Sequence, residues 1–141
     1  MKISTKGRYA VESLLFMALN GHGEKWQVRV VAEKTGVTER YLEQIFHILK
    51  KKEILDTIRG PKGGYFLKKA PRDLKIGEVI RAVEGEIIPA PCVHCETSCT
   101  CNIQDVCATR ALWCKLLKAI CSVVDTLTLE DLAKSYHGME R

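Results

Sequence analysis

Apolar residues recur at three- and four-residue spacing from Tyr9 through Ala10, Leu14, Met17 and Ala18, which predicts a first helix capped by Ser4 or Thr5. The stretch Asn20-Gly21-His22-Gly23 ends it. A short second helix is expected at about Val28–Lys34, with Val30, Val31 and Ala32 turned inward and Glu33-Lys34 outward. Thr35-Gly36-Val37 makes a tight turn, and Thr38 with Glu39 opens a third helix whose apolar face is Leu42, Ile45, Phe46 and Leu49. Two helices joined by a short turn containing Gly describe a helix-turn-helix. The pattern then changes to two short strand-like runs, Ile54–Ile58 and Tyr65–Leu67, around Arg59-Gly60-Pro61-Lys62-Gly63-Gly64. Three glycines and a proline in six residues predict a hairpin, and its position directly after the third helix makes it a wing. Pro71 breaks the chain, and a helix at about Ile76–Val83 presents Ile76, Val79, Ile80 and Val83 inward. Gly85 to about Asp105 reads as irregular, Asp105–Val124 as a long helix, and Thr128–Lys134 as a short capped one.

Composition and charge divide the same 141 residues differently. Residues 1–75 carry 16 Lys/Arg against 8 Asp/Glu, whereas residues 76–141 carry 6 against 9. A basic first half suggests that only this part faces a polyanion. All seven cysteines lie between Cys92 and Cys121. An odd count, four of them crowded into residues 92–101, with no visible secretory signal, fits a metal or iron–sulfur site in a reducing cytoplasm better than a disulfide framework. No apolar run approaches the roughly 20 residues that a membrane span requires, so a cytoplasmic, membrane-free protein is expected. No nucleophile–base set or phosphate loop appears, and an enzyme is not expected.

The first turns of the second helix of a helix-turn-helix meet base edges in the major groove. Here they offer Thr38, Arg40, Tyr41, Glu43 and Gln44. Gln suits adenine bidentately, Arg suits guanine, and Glu accepts from cytosine while repelling a misplaced phosphate. Lys50, Lys51 and Lys52 extend a phosphate-facing edge. Arg59, Gly60 and Lys62 form a basic hairpin tip that is expected to enter the minor groove. Double-stranded DNA is the expected partner.

Several stretches carry a resemblance at this point. Lys6-Gly7-Arg8-Tyr9-Ala10, Tyr41-Leu42-Glu43-Gln44-Ile45-Phe46 and Arg59-Gly60-Pro61-Lys62-Gly63-Gly64-Tyr65 come first. Ile76 to Gly85, Cys107-Ala108-Thr109-Arg110-Ala111-Leu112-Trp113 and Leu127-Thr128-Leu129-Glu130-Asp131-Leu132 follow. Together they resemble the IscR/NsrR type of bacterial winged-helix transcription regulators over nearly the whole chain. The resemblance implies a mainly α protein, a winged helix-turn-helix with a short β-hairpin wing and a long C-terminal dimerisation helix. It divides the chain into a DNA-binding domain over 1–85, a cysteine-rich cluster-binding loop over 86–107, and a dimerisation helix with a C-terminal helix over 105–141. It implies a homodimeric regulator, expected to repress, reading a pseudo-palindromic operator. An iron–sulfur cluster, 2Fe–2S by preference or 4Fe–4S, would couple operator affinity to iron–sulfur status, redox or nitric oxide.

The resemblance also implies three cysteine ligands: Cys107, Cys101, and a first ligand that is Cys92 by gap-free reading or Cys95 by regular spacing, with a lean to Cys92. Iron–sulfur clusters are held by deprotonated cysteine. The chain departs from its relatives at the fourth ligand. Arg110 stands where IscR-like members place His, and Arg8 where nitric-oxide sensors place an acidic residue. The surplus loop cysteines, His94 or the partner's Glu12 are left as candidates. The rival readings are structural zinc on Cys92-Val93-His94-Cys95 with Cys99 and Cys101, and a bare thiol-redox switch. Cys107, Cys114 and Cys121 are spaced by seven on one helix stripe, too far apart for one small cluster, so Cys114 and Cys121 are assigned to packing. That stripe, with Arg110, Leu117 and Val124, has the spacing of a dimer seam, and Trp113, Leu116, Ile120 and Val123 form the opposite flank.

Overall fold

The computed structural model describes residues 2–93 and 107–137. Helix α1 runs Thr5–Asn20, α2 Val28–Thr35 and α3 Glu39–Lys51; strands β1 (Leu55–Ile58) and β2 (Gly64–Leu67) follow, then α4 (Ile76–Glu84), α5 (Ala108–Val124) and α6 (Leu129–His137). The chain is mainly helical with one small antiparallel hairpin.

Each start and stop has a local cause. The Ser4 side chain accepts from the Gly7 N–H at 3.3 Å and caps α1. Gly36, at φ 72°, ends α2 in the left-handed conformation that glycine adopts without steric cost, and Val37 N–H returns to the Ala32 carbonyl at 3.1 Å. Thr38 then caps α3, accepting from Tyr41 N–H at 3.3 Å. Glu39 in the first turn of α3 and Lys50 and Lys51 in the last complement the helix dipole. The α6 cap is reciprocal: Asp131 N–H donates to the Thr128 hydroxyl at 3.1 Å, and Thr128 N–H to the Asp131 carboxylate at 2.9 Å. The Thr128 bonds hold the Asp131 carboxyl below its usual range.

One core joins all these elements except most of α5. Leu14 and Met17 of α1, Leu42 and Phe46 of α3, Val79 of α4 and Leu129 of α6 are buried together. The C-terminal helix α6 therefore returns to the body formed by residues 1–85, against α1 and the 3-10 turn at Pro71–Asp73.

The structure adjusts four expectations. Val30 is 36% exposed, and only Val31 and Ala32 of the second helix turn fully inward. Strand β1 starts at Leu55, one residue late, because Ile54 N–H completes the end of α3 on Leu49 carbonyl at 3.0 Å. The long helix begins at Ala108, with Cys107 as its cap; residues 105 and 106 lie outside the described residues. The C-terminal half of the seven-residue stripe proposed as a seam faces the chain's own body: Leu117 is buried, Val124 packs on the core and Cys121 meets Arg81. The exposed large apolar residues of α5 are Leu112, Leu116 and Val123.

Candidate nucleic-acid interface and cysteine segment

The exposed face of α3, the candidate for base reading, follows from its periodicity. Leu42, Ile45, Phe46 and Leu49 are buried, so Arg40, Glu43, Gln44 and His47 are left on the exposed side at helical spacing. Thr38 is exposed, and its side chain is committed to the cap. Tyr41 is half buried, its ring edge-on to Tyr9 with centroids 6.1 Å apart, so packing holds it in place beside the exposed group. His47 joins this face although sequence reasoning gave it no role; its spacing of four from Glu43 and three from Gln44 was the signal.

The hairpin is set against the same helix. Register pairs Leu55 with Leu67 and Ile58 with Gly64, leaving Arg59 to Gly63 as the tip. Gly63 N–H closes the turn on the Gly60 carbonyl at 2.9 Å with Pro61 between them. Arg59, Gly60 and Lys62 are all exposed. Tyr65 pairs in both directions with Trp26, at 2.7 and 2.8 Å, so the wing is tied to the segment before α2. Its ring lies edge-on to Phe46 at 5.1 Å. Burial, then the Glu43 carboxylate, push the Tyr65 phenol above its ordinary range. Of the lysine run, Lys50 is held by the Thr57 hydroxyl of β1 at 2.7 Å.

Of the sequence-derived cysteine ligands, Cys92 and Cys107 are described; Cys95 and Cys101, with Cys99 and His94, lie outside the described residues. Cys92 is half buried next to Val93, which is buried. Cys107 sits at the N-terminus of α5, its sulfur 3.1 Å from the Thr109 hydroxyl. The Thr109 hydroxyl, then the backbone N–H groups of Arg110 and Thr109, hold this thiol below the ordinary thiol range. That is the donor chemistry a thiolate-held metal group needs. Among the described residues no three His, Cys, Asp or Glu side chains converge as a metal site. Glu12 is paired with Arg8 of its own helix at 3.7 Å. Thr109 was missed from the sequence, although a hydroxyl two residues after a helix-capping cysteine falls in the turn whose free N–H groups face the cap.

A fold with this interface matches known proteins over nearly its full length. Residues 3–135 match the Rrf2 family, described as iron-dependent transcriptional regulator. The chain belongs to the Rrf2 family of transcriptional regulators. The HTH-type transcriptional regulator IscR of Escherichia coli is 34% identical to it over 140 residues, covering 99% of this chain and 85% of that protein. Among solved structures, CymR, the global cysteine regulator of B. subtilis, superposes with a TM-score of 0.80 at 33% identity, covering 96% of this chain and 98% of that one. IscR of T. potens gives 0.77 at 32% identity over 100% and 93% of the chains. The oxidized form of Staphylococcus aureus CymR gives 0.74 at 31% identity over 94% and 96%. DNA binding in transcriptional control is thus the activity of this Rrf2 chain. No helix among its described residues is long and apolar enough to cross a membrane.

Proposed function

We propose that this Rrf2-family regulator acts as a cytoplasmic homodimer on a pseudo-palindromic operator, with its operator affinity set by an iron–sulfur cluster held by Cys92, Cys101 and Cys107. Thr38, Arg40, Tyr41, Glu43 and Gln44 serve the major groove, and Arg59, Gly60 and Lys62 the minor groove. The observation that carries the sensing half of this reading is Cys107. It joins the cysteine segment to α5, and its thiol is biased toward thiolate by Thr109 and the helix N-terminus. When bound, such a cluster supplies a charge and a geometric constraint that change with its oxidation state or loss. The residues of the chain do the rest: Cys107 anchors the first turn of α5, α5 packs on α4, and α4 packs on α3, which carries the base-reading side chains.

A second reading has a specific observation in its favour. The lowered pKa that makes Cys107 a good ligand also makes it a good nucleophile, as a thiol-redox switch without a cluster requires. The similar S. aureus CymR has been crystallised in an oxidized form.

Anaerobic purification followed by a visible spectrum, with iron, sulfide and zinc assayed on one sample, tests the first reading. Brown protein with comparable iron and sulfide is expected, and Cys107→Ala and Cys101→Ala should each bleach it. Colourless protein that resists reconstitution and carries zinc or no metal would refute the cluster and leave the DNA reader standing. Reversible loss of operator binding on treatment of that metal-free protein with peroxide would then favour the thiol switch.

A further inference from the structure

Helix α5 is tied to the body at its C-terminal end. Beyond its last turn the chain is stitched to the start of α4: Ile76 N–H donates to Leu127 carbonyl at 3.0 Å, Leu129 N–H to Leu74 carbonyl at 2.9 Å, and Lys75 bridges Thr128. Leu117 is the one buried residue of α5, and the upstream exposed residues Leu112 and Leu116 stand off the core.

An ion pair crosses this junction. The Arg81 guanidinium donates to both carboxylate oxygens of Asp125, at 2.5 and 3.0 Å, and to the Cys121 sulfur at 3.6 Å. A planar fork bound at two points fixes orientation as well as distance. Gly77, one turn before Arg81, makes room for it. A Cβ there would lie 2.2 Å from Asp125 Oδ1 and 2.7 Å from Arg81 Nη1.

We propose that the Arg81–Asp125 pair, seated over Gly77, is a positioning device for operator recognition: it fixes the direction in which α5 leaves the DNA-binding body, and thereby the separation at which two recognition helices meet successive major grooves. This inference rests on the reading of the protein as a DNA-binding dimer joined through α5. The lever is long enough to matter. Seventeen residues of helix span about 25 Å, so a tilt of about 10° at the junction moves the far end by about 4 Å. One base pair rises by about 3.4 Å. Loss of the pair therefore blurs half-site spacing by about one base pair and leaves each recognition helix intact.

The test uses the full chain and a duplex selected in vitro by the wild-type protein. Affinities are measured for that duplex, for versions with the half-sites moved one base pair closer or further apart, and for a duplex carrying one half-site. Wild type should discriminate against the altered spacings roughly tenfold. Asp125→Asn and Gly77→Ala should cut that discrimination to about twofold or less while leaving single half-site affinity unchanged. A merely structural role would weaken full-site and half-site binding together. The swapped pair Arg81→Asp/Asp125→Arg should restore spacing discrimination. Wild-type discrimination retained in both Asp125→Asn and Gly77→Ala would overturn the inference alone. Wild type that sediments as a monomer, or selects no duplex, would overturn the dimeric DNA-reading function and this inference with it.

Discussion

Cys107 shows how one residue acquires chemistry from its position. Four N–H groups at a helix start lack partners within the helix, and a thiolate placed there receives them. In this chain the Thr109 hydroxyl adds the largest contribution and the N–H groups of Arg110 and Thr109 follow. All of these act on the ionised form, so the thiol deprotonates at lower pH than an ordinary cysteine. In metal-free protein, the rate of Cys107 alkylation by iodoacetamide should rise with pH through a midpoint below that of an ordinary cysteine. Thr109→Ala should move that midpoint upward without affecting the fold, as read by mass spectrometry of the Cys107 peptide across pH. An unchanged midpoint in Thr109→Ala would remove the hydroxyl from the account. The same thiolate character serves a metal ligand and a redox thiol, which is why the spectrum and metal assay, rather than reactivity, must separate those two functions.

At the scale of elements, α3 and the wing are expected to divide the work of recognition between them. Gln44 lies on the exposed face of α3, and Lys62 at the exposed tip of the hairpin. Gln44→Ala should cost about 1–3 kcal/mol at particular base pairs, while Lys62→Ala should weaken binding evenly across sequences and lower the salt slope by about 1. Titration of a panel of single-base operator variants at several salt concentrations reads both effects, and equal losses across every sequence for both variants would refute the division. These elements were legible because their signals are local: the 42, 45, 46, 49 spacing defines the inner face of α3, Thr38 caps it, and Gly60-Pro61 turns the wing. Elements whose orientation depends on distant partners were less so. Helix α2 has only two turns, too few for periodicity to separate Val30 from Val31. The bonding of Trp26 to Tyr65 spans 39 positions, and no pattern near either residue announces it. Helix α5 is apolar on two flanks, and the one that faces inward meets Arg81, 40 residues before Cys121. The ligand set was legible only through resemblance, since cysteine spacing alone admitted iron–sulfur, zinc and bare thiols.

Among the described residues, α5 keeps one apolar face that the body does not cover. Leu112, Leu116 and Val123 are 49%, 38% and 58% exposed on a single side of α5, at spacings of four and seven. That is the geometry of a helix packing on a second helix. The body already occupies the Leu117–Val124 side, so a dimer built on α5 has to use this one. Glu at both positions 116 and 123 removes four apolar side chains from such an interface, two per subunit. At about 1.5 kcal/mol or more each, the loss is about 6 kcal/mol, comparable with the roughly 4–15 kcal/mol that association costs. The variant Leu116→Glu/Val123→Glu should therefore sediment as a monomer at micromolar concentration. Both residues are outside the core, so its thermal melt should stay cooperative. Affinity for a full operator should fall to that for one half-site, because the two recognition helices no longer arrive together. A variant that still sediments as a dimer would move the seam off this face. The groove between the N-terminal residues Lys2 and Ile3, the end of α4 and Ile120 of α5 would then be the next surface to test.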